Sequence, residues 1–395
     1  MEPLIIFGVI LALALNFVNG LNDAAHSIAT VVATRSLSPW RAVLLTSLCN
    51  MLGPFIFTTA VATTIGTAIV HPSSLNPVSI IVAMGTAISL VFVATRAGLP
   101  ISSSHALVGG LLGAGLGAFG PGAIILPGAS TLIDLGIAAL GGAVTGGLVL
   151  GSLTAALKGD VRLGILIGAV FGGTLVVPVL MLAGVLKISG LLVIVLFIFI
   201  SPVMGVSAAF LFNVVISHLV QHRKQNRVRR IFRPLHVVAC LFQAAGHGAN
   251  DGQHAVGVIA ALLFSAGVLT TFSIPLWVLL SSALAIGLGT VFGGWDVVDK
   301  MAKKITRIRP YQGFSAATAG SAVLAMVTSY GVPVSSTHVI SGAIIGVGAT
   351  RGKNAVQWEV VREMLTAWVI TIPLALVFSY VGYIIVSFLL NSLFL

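Results

Sequence analysis

Apolar stretches of about 20 residues or more follow one another along almost the whole chain, separated by short gaps that hold most of the charge. That length is what an α-helix needs to cross the roughly 30 Å hydrocarbon layer of a bilayer. Within that layer the backbone must satisfy its own hydrogen bonds, which leaves helices or a closed barrel. The recurrence predicts an all-α polytopic membrane protein. Composition agrees: 57% of the 395 residues are hydrophobic and 7% are charged, against about 25% charged in a soluble domain. A formal charge of +11 would suggest a nucleic-acid partner if the basic residues formed one patch. They sit instead in the gaps between apolar runs, the positive-inside pattern. The partner they imply is the lipid bilayer, not nucleic acid. Cys49 and Cys240 lie inside apolar segments and read as small hydrophobes rather than a disulfide framework. The first apolar run lacks a basic n-region and an A-x-A-like site, so it reads as a retained span.

The apolar pattern predicts crossings at 4–33, 41–70, 78–95, 100–125, 131–156, 163–186, 189–221, 235–265, 274–297, 311–330, 333–350 and 359–392. With twelve crossings and both termini outside, Arg35, Arg41, Arg96, Lys158, Arg162, Arg223–Arg233, Lys300–Arg309, Arg351, Lys353 and Arg362 all face the cytoplasm. Lys187 alone falls outside, so the charge rule favours this topology.

Two polar motifs interrupt the apolar background, and each occurs twice. GLNDAAH at 20–26 matches GANDGQH at 248–254, giving G-x-N-D-x-x-H. GLPISSSHALVG at 98–109 matches GVPVSSTHVISG at 331–342. The order is the same and the separation similar in both halves, which predicts an internal duplication: a first repeat at 1–157, two connecting helices in 158–222, a basic cytoplasmic loop at 223–234 and a second repeat at 235–395. Under the topology above, the repeats are inverted. Inverted repeats with broken helices or helical hairpins at the midplane characterise secondary transporters.

Asp23 and Asp251 each lie within an apolar run. A carboxylate at mid-bilayer costs about 2.5–3.5 kcal/mol on insertion scales and persists where it faces a site. Asn22 and Asn250 add amide oxygens, and the flanking Gly20, Gly246, Gly248 and Gly252 weaken the helix and free carbonyls. Such an oxygen-rich cage suits a hard cation such as sodium, with Ser102 and Ser335 as further oxygen ligands. In the second motif Pro100 and Pro333 are expected to begin helices, because proline is tolerated in a first turn and serine caps it. Ser103, Ser104, Ser336 and Thr337 would then offer hydroxyls and free backbone N–H groups to an oxyanion. Gln253 follows the second signature where the first has Ala25, and it joins Asn22 and Asn250 as a candidate anion ligand. His26, His105, His254 and His338 read equally well as ligands or as hydrogen-bonding struts. Asn50, Asn213, Gln243 and Asp134 are isolated polar residues with no assigned role. An oxyanion between two buried carboxylates is untenable unless cations enter with it. No nucleotide-binding P-loop occurs, so the energy source is an ion gradient.

At these residues the chain resembles the PiT family of inorganic phosphate transporters, over essentially its whole length. The resemblance implies cation-coupled symport of inorganic phosphate across a plasma membrane, with sodium ions in many members and protons in others, and no tightly bound cofactor. It places the cation and phosphate residues at Asn22, Asp23, Asn250 and Asp251 and the hydroxyl segments at Ser102–Ser104 and Ser335–Thr337. Some relatives move sulfate or metal–phosphate complexes, and a homo-oligomer stays open. An intramembrane serine hydrolase is disfavoured because it needs one asymmetric nucleophile, whereas the polar residues here are duplicated. A channel is disfavoured because buried carboxylates beside an anion cradle favour stoichiometric coupling.

Overall fold

The computed structural model describes residues 2–56, 58–71, 74–97, 99, 101–156, 161–186, 188, 190–293 and 308–393, without the side chains at 24–27, 163, 182, 353 and 393. Pro100, Lys158, Lys187, the basic residues within 300–307 and the side chains of His26 and Lys353 therefore lie outside the described residues. The described chain is built from helices: α1 (Glu2–Ala33), α2 (Pro39–Leu52), α3 (Ala60–Thr67), α4 (Pro77–Arg96), α5 (Ser103–Phe119), α6 (Ala129–Ala156), α7 (Val161–Leu182), α8 (Leu191–Val220), α9 (Gln225–Asp251), α10 (Gln253–Ser265), α11 (Leu276–Phe292), α12 (Pro310–Ser329), α13 (Ser336–Ala349) and α14 (Trp358–Leu393).

Six of these, α1, α4, α6, α7, α8 and α14, are each long and apolar enough to cross a bilayer. Their outer faces expose large apolar side chains, among them Leu140, Leu148, Leu211, Ile370 and Phe388, as expected of a protein whose solvent is lipid. The predicted crossing at 41–70 is not one helix. Gly53 and Pro54 end α2 in a short 3-10 turn, and α3 leaves at 72° to the preceding segment. The predicted crossing at 235–265 is divided at Gly252 into α9 and α10. The two serine segments form helices of 17 and 14 residues, about 25 and 21 Å long at 1.5 Å per residue, shorter than the hydrocarbon layer.

Backbone crossings recur in matched pairs. A Cβ on Gly20 of α1 would strike Ile286 O of α11, and one on Gly289 of α11 would strike Phe17 O. In the counterpart crossing a Cβ on Gly248 of α9 would strike Asn50 O of α2, and one on Gly53 would strike Ala245 O. Likewise Gly109 and Gly113 of α5 lie against Ile372 O and Leu376 O of α14, while Gly342 and Gly346 of α13 lie against Pro202 O and Val206 O of α8. Gly20 and Gly248, the first residues of the two signatures, thus act through close helix approach, whereas Gly252 ends α9 and its carbonyl accepts from Asn16 Nδ2 at 2.9 Å. α1 is continuous through the first signature.

The serine helices also begin differently from expectation. Ser102 and Ser335 are the N-caps, accepting from His105 N at 3.2 Å and His338 N at 3.4 Å. Pro333 stands two residues before its cap, in non-helical chain, rather than in the first turn. The hydroxyl of the first serine is thereby directed at its own helix, and the next two hydroxyls carry on into the protein interior.

Candidate functional site

The second half of α1, the end of α9 and the starts of α5 and α13 converge on one buried point. Asp23 and Asp251 are each 1% exposed, and both reach the same imidazole. His247 Nε2 lies 3.2 Å from Asp23 Oδ2 and 3.1 Å from Asp251 Oδ2. One ligand atom from each of Asp23, His247 and Asp251 lies within 4.8 Å of the others. The remaining ring nitrogen, His247 Nδ1, faces Asn50 Oδ1 at 3.0 Å. Asn50 in turn donates from Nδ2 to Thr290 Oγ1 at 2.8 Å, and Thr290 passes its own hydrogen to Ile286 O. That chain makes Asn50 Oδ1 an acceptor. Both ring nitrogens of His247 therefore face oxygen atoms of the cluster.

Each aspartate is held by the asparagine before it, in the same way twice. Asn22 Nδ2 donates to Asp23 Oδ1 at 2.7 Å and to Ile101 O at 3.2 Å, while its Oδ1 accepts from Thr95 Oγ1 at 2.9 Å. Asn250 satisfies both ends of its amide when Nδ2 donates to Asp251 Oδ1 and Val334 O, each at 3.1 Å, and Oδ1 accepts from Thr328 Oγ1 at 2.9 Å. Ile101 and Val334 stand just ahead of the serine caps, and Thr95 and Thr328 close α4 and α12. The clamp ties each signature to the serine motif of its own half.

The hydroxyls complete the cluster. Ser336 Oγ donates to Asp251 Oδ2 at 2.7 Å, and Thr337 Oγ1 crosses to Asp23 Oδ1 at 3.3 Å. In the first half Ser103 Oγ donates to Asn19 Oδ1 at 2.7 Å, and Ser104 Oγ to Val334 O at 3.4 Å. Asn19 in turn reaches Asp251 O at 3.4 Å. Ser103, Ser104, Ser336 and Thr337 are all buried. Two carboxylates, one imidazole, two amides and a set of hydroxyls thus form one connected cluster. No Lys or Arg takes part in these contacts. The donor set is rich in oxygen at the carboxylates, which suits a hard cation. The hydroxyls at two helix starts suit an oxyanion.

Of the residues singled out in the sequence, Asp23, Asp251, Asn22, Asn250, Ser103, Ser104, Ser336 and Thr337 come together. Ser102 and Ser335 are close by, but their oxygens cap helices. Gln253 is turned away: Nε2 donates to Thr58 O and Ala249 O, both at 2.8 Å, and Oε1 accepts from Ala62 N at 3.0 Å. Its amide latches the start of α3 onto α10, and both of its N–H hydrogens are taken, leaving none to donate to an anion. His105 and His338 meet edge-on with ring centroids 4.7 Å apart, and His338 stacks on Trp368 at 3.8 Å. His338 Nδ1 also lies 3.3 Å from Ile198 O, and His254 is buried in α10. His105 and His338 thus pack the two serine helices against each other, and His338 ties its own helix to α8 and α14. Sequence reasoning missed His247, Asn19, Asn50, Thr95 and Thr328. Extending the signature one residue toward the N-terminus would have found the first two, because both copies then begin with a polar residue, Asn19 and His247.

The pattern of the phosphate transporter family matches residues 19–161 and 164–379, which include both signatures and both serine motifs. The chain belongs to the phosphate transporter family. As a member of that family it is a multi-pass membrane transporter of phosphate, not an enzyme, and the serine-hydrolase alternative falls. A relative described as "Probable low-affinity inorganic phosphate transporter" in Rhizobium meliloti (strain 1021) is 37% identical over 382 residues, covering 96% of each chain. One of the same description in Bacillus subtilis (strain 168) is 31% identical over 389 residues, covering 98% of this chain and 97% of its own. A solved structure titled "The sodium-dependent phosphate transporter" superposes with a TM-score of 0.69 at 24% identity, covering 98% of this chain and 99% of that one. That likeness establishes a shared fold for this phosphate transporter family member.

Proposed function

We propose that the chain imports inorganic phosphate across the plasma membrane by symport with sodium, through two inverted repeats of a twelve-crossing fold with both termini outside. The observation that carries this reading is the meeting of Asp23 and Asp251, from opposite halves, beside Ser336 and Thr337 at the start of α13. Two carboxylates and a phosphate anion in a medium of low dielectric repel one another, so cations must be present whenever the anion is. Sodium on Asp23 and Asp251, steadied by Asn22 and Asn250 and with Ser102 and Ser335 at the margin, would supply that charge. Ser103, Ser104, Ser336 and Thr337 would then hold the phosphate through neutral donors. The paired glycine crossings and the twin asparagine clamps support the repeat. Two repeats of one chain related by a pseudo-two-fold axis in the membrane plane, sharing a midplane site, are a known basis for alternating access.

A proton-coupled cycle is the second reading. It is favoured by His247, whose Nε2 stands between the carboxylates where a cation would otherwise sit. Purified protein in liposomes, given an inward sodium gradient at equal pH or an inward proton gradient without sodium, separates the two. Sodium coupling predicts concentrative phosphate uptake in the first case alone. Equal uptake in the second would replace sodium by protons, and uptake that merely equilibrates under both would indicate a channel.

A further inference from the structure

Away from the central site, a cleft opens where the loop after α8 meets the starts of α9 and α12. It has a volume of about 470 Å³, and Arg223, Arg229 and Arg309 line it together with Asn226 and Tyr311. Arg309 reaches this place from a distant part of the chain, so the cleft is built by tertiary structure and is not simply a basic run in sequence. None of these three guanidinium groups is paired with a carboxylate among the described residues. A second, smaller cleft of about 270 Å³ adjoins it, sharing Val220, Arg223 and Val228, and is otherwise lined by Leu219, Arg227, Ile231 and Phe232. From Ile231 an exposed apolar stripe runs down α9 through Leu235, Val238 and Phe242. These residues recur at helical spacing on one face, which turns that face to the acyl chains. A polar, cationic cleft thus passes continuously into an apolar track running along the helix.

We propose that the two clefts together bind one anionic phospholipid. Its phosphodiester sits among Arg223, Arg229 and Arg309, and its acyl chains lie over Leu219, Ile231 and the outer face of α9. Planar guanidinium groups match phosphate oxygens with paired hydrogen bonds, and basic pockets between membrane helices on the cytoplasmic side recognise such headgroups. The apolar continuation selects a lipid over free phosphate, since an inorganic ion has nothing to place on the stripe. The positive-inside pattern makes this the cytoplasmic face. A lipid held here would tie the first helix of the second half to the last connecting helix.

The test uses the full chain purified in detergent, delipidated, and offered phosphatidylglycerol, phosphatidylcholine or inorganic phosphate. Native mass spectrometry reads the bound lipid and the thermal midpoint reads its effect. One phosphatidylglycerol adduct should be retained and should raise the midpoint, whereas phosphatidylcholine should do neither. The variant R223Q/R229Q/R309Q should weaken retention by roughly a hundredfold, at about 1 kcal/mol per arginine. R309Q alone, a single exposed change, should weaken it by roughly fivefold. The matched control R41Q/R351Q/R362Q should retain the lipid. Equal loss in the control would reduce the effect to general surface charge and overturn the site. Displacement of the adduct by millimolar inorganic phosphate would make it a free-anion site, and an unchanged affinity in R223Q/R229Q/R309Q would remove it altogether.

Discussion

Asp23 and Asp251, drawn from opposite halves of the chain, present their Oδ2 atoms to a single nitrogen, His247 Nε2, at 3.2 and 3.1 Å. Without the imidazole the two carboxylates would face each other in a site that is almost completely buried. The shared contact explains how both acids sit together in this arrangement, and it locates where a cation would replace the ring.

Neutralising either acid should stop coupling without unfolding the protein. Asp23→Asn and Asp251→Asn are each expected to abolish concentrative phosphate uptake in liposomes while leaving the size-exclusion profile unchanged. Each amide keeps the shape of the carboxylate and much of its hydrogen bonding to Asn22 or Asn250. Gradient-driven uptake at the wild-type level in both variants would remove the carboxylates from the cation site.

Removing the imidazole should cost stability in a manner that sodium repairs. His247→Ala leaves two buried carboxylates without their common partner, and breaking a buried ionic contact costs about 3–5 kcal/mol. The thermal midpoint of this variant should fall well below wild type in a sodium-free, choline-based buffer and recover on adding sodium. A fall of the same size in both buffers would assign His247 to packing alone.

The hydroxyls should set phosphate affinity. A hydrogen bond to a charged group contributes about 1.5–3 kcal/mol, so Ser104→Ala and Thr337→Ala should each weaken apparent phosphate affinity by roughly ten- to a hundredfold. Their effects should couple in a double-mutant cycle if both hold the one phosphate proposed for this site. A defect confined to one copy would make the other serine motif structural.

The duplicated signatures, the carboxylates and the hydroxyl segments are legible in sequence because a polar residue in an apolar run is costly and therefore conspicuous. His247 was not conspicuous in the same way. It stands one position ahead of the shared pattern, and its counterpart is a different residue, Asn19, so a search for identity stops short of it. The break at Gly252 is legible as a glycine-weakened point beside the polar signature, whereas the bend after Gly53 is not, because the apolar run at 41–70 continues across it. Gln253 misled because polarity alone does not say which way a side chain points: its partners, Thr58 O and Ala62 N, come from a segment far away in sequence.

The signature glycines give a prediction about packing. Gly248→Ala puts a methyl group against Asn50 O, and Gly20→Ala puts one against Ile286 O. Overpacking of this kind costs about 1–3 kcal/mol. Both should lower the thermal midpoint, while Gly141→Ala, where a Cβ meets nothing within 4 Å, should leave it level or raise it. Equal midpoints for all three would show that the helix crossings tolerate separation.

The most direct test of a single site shared by two halves is equilibrium binding of labelled phosphate to the purified protein across a sodium series. A cation-neutralised site predicts that phosphate affinity rises steeply with sodium and that Asp23→Asn and Asp251→Asn each abolish the rise. Phosphate binding of equal strength with and without sodium, retained in both variants, would contradict it.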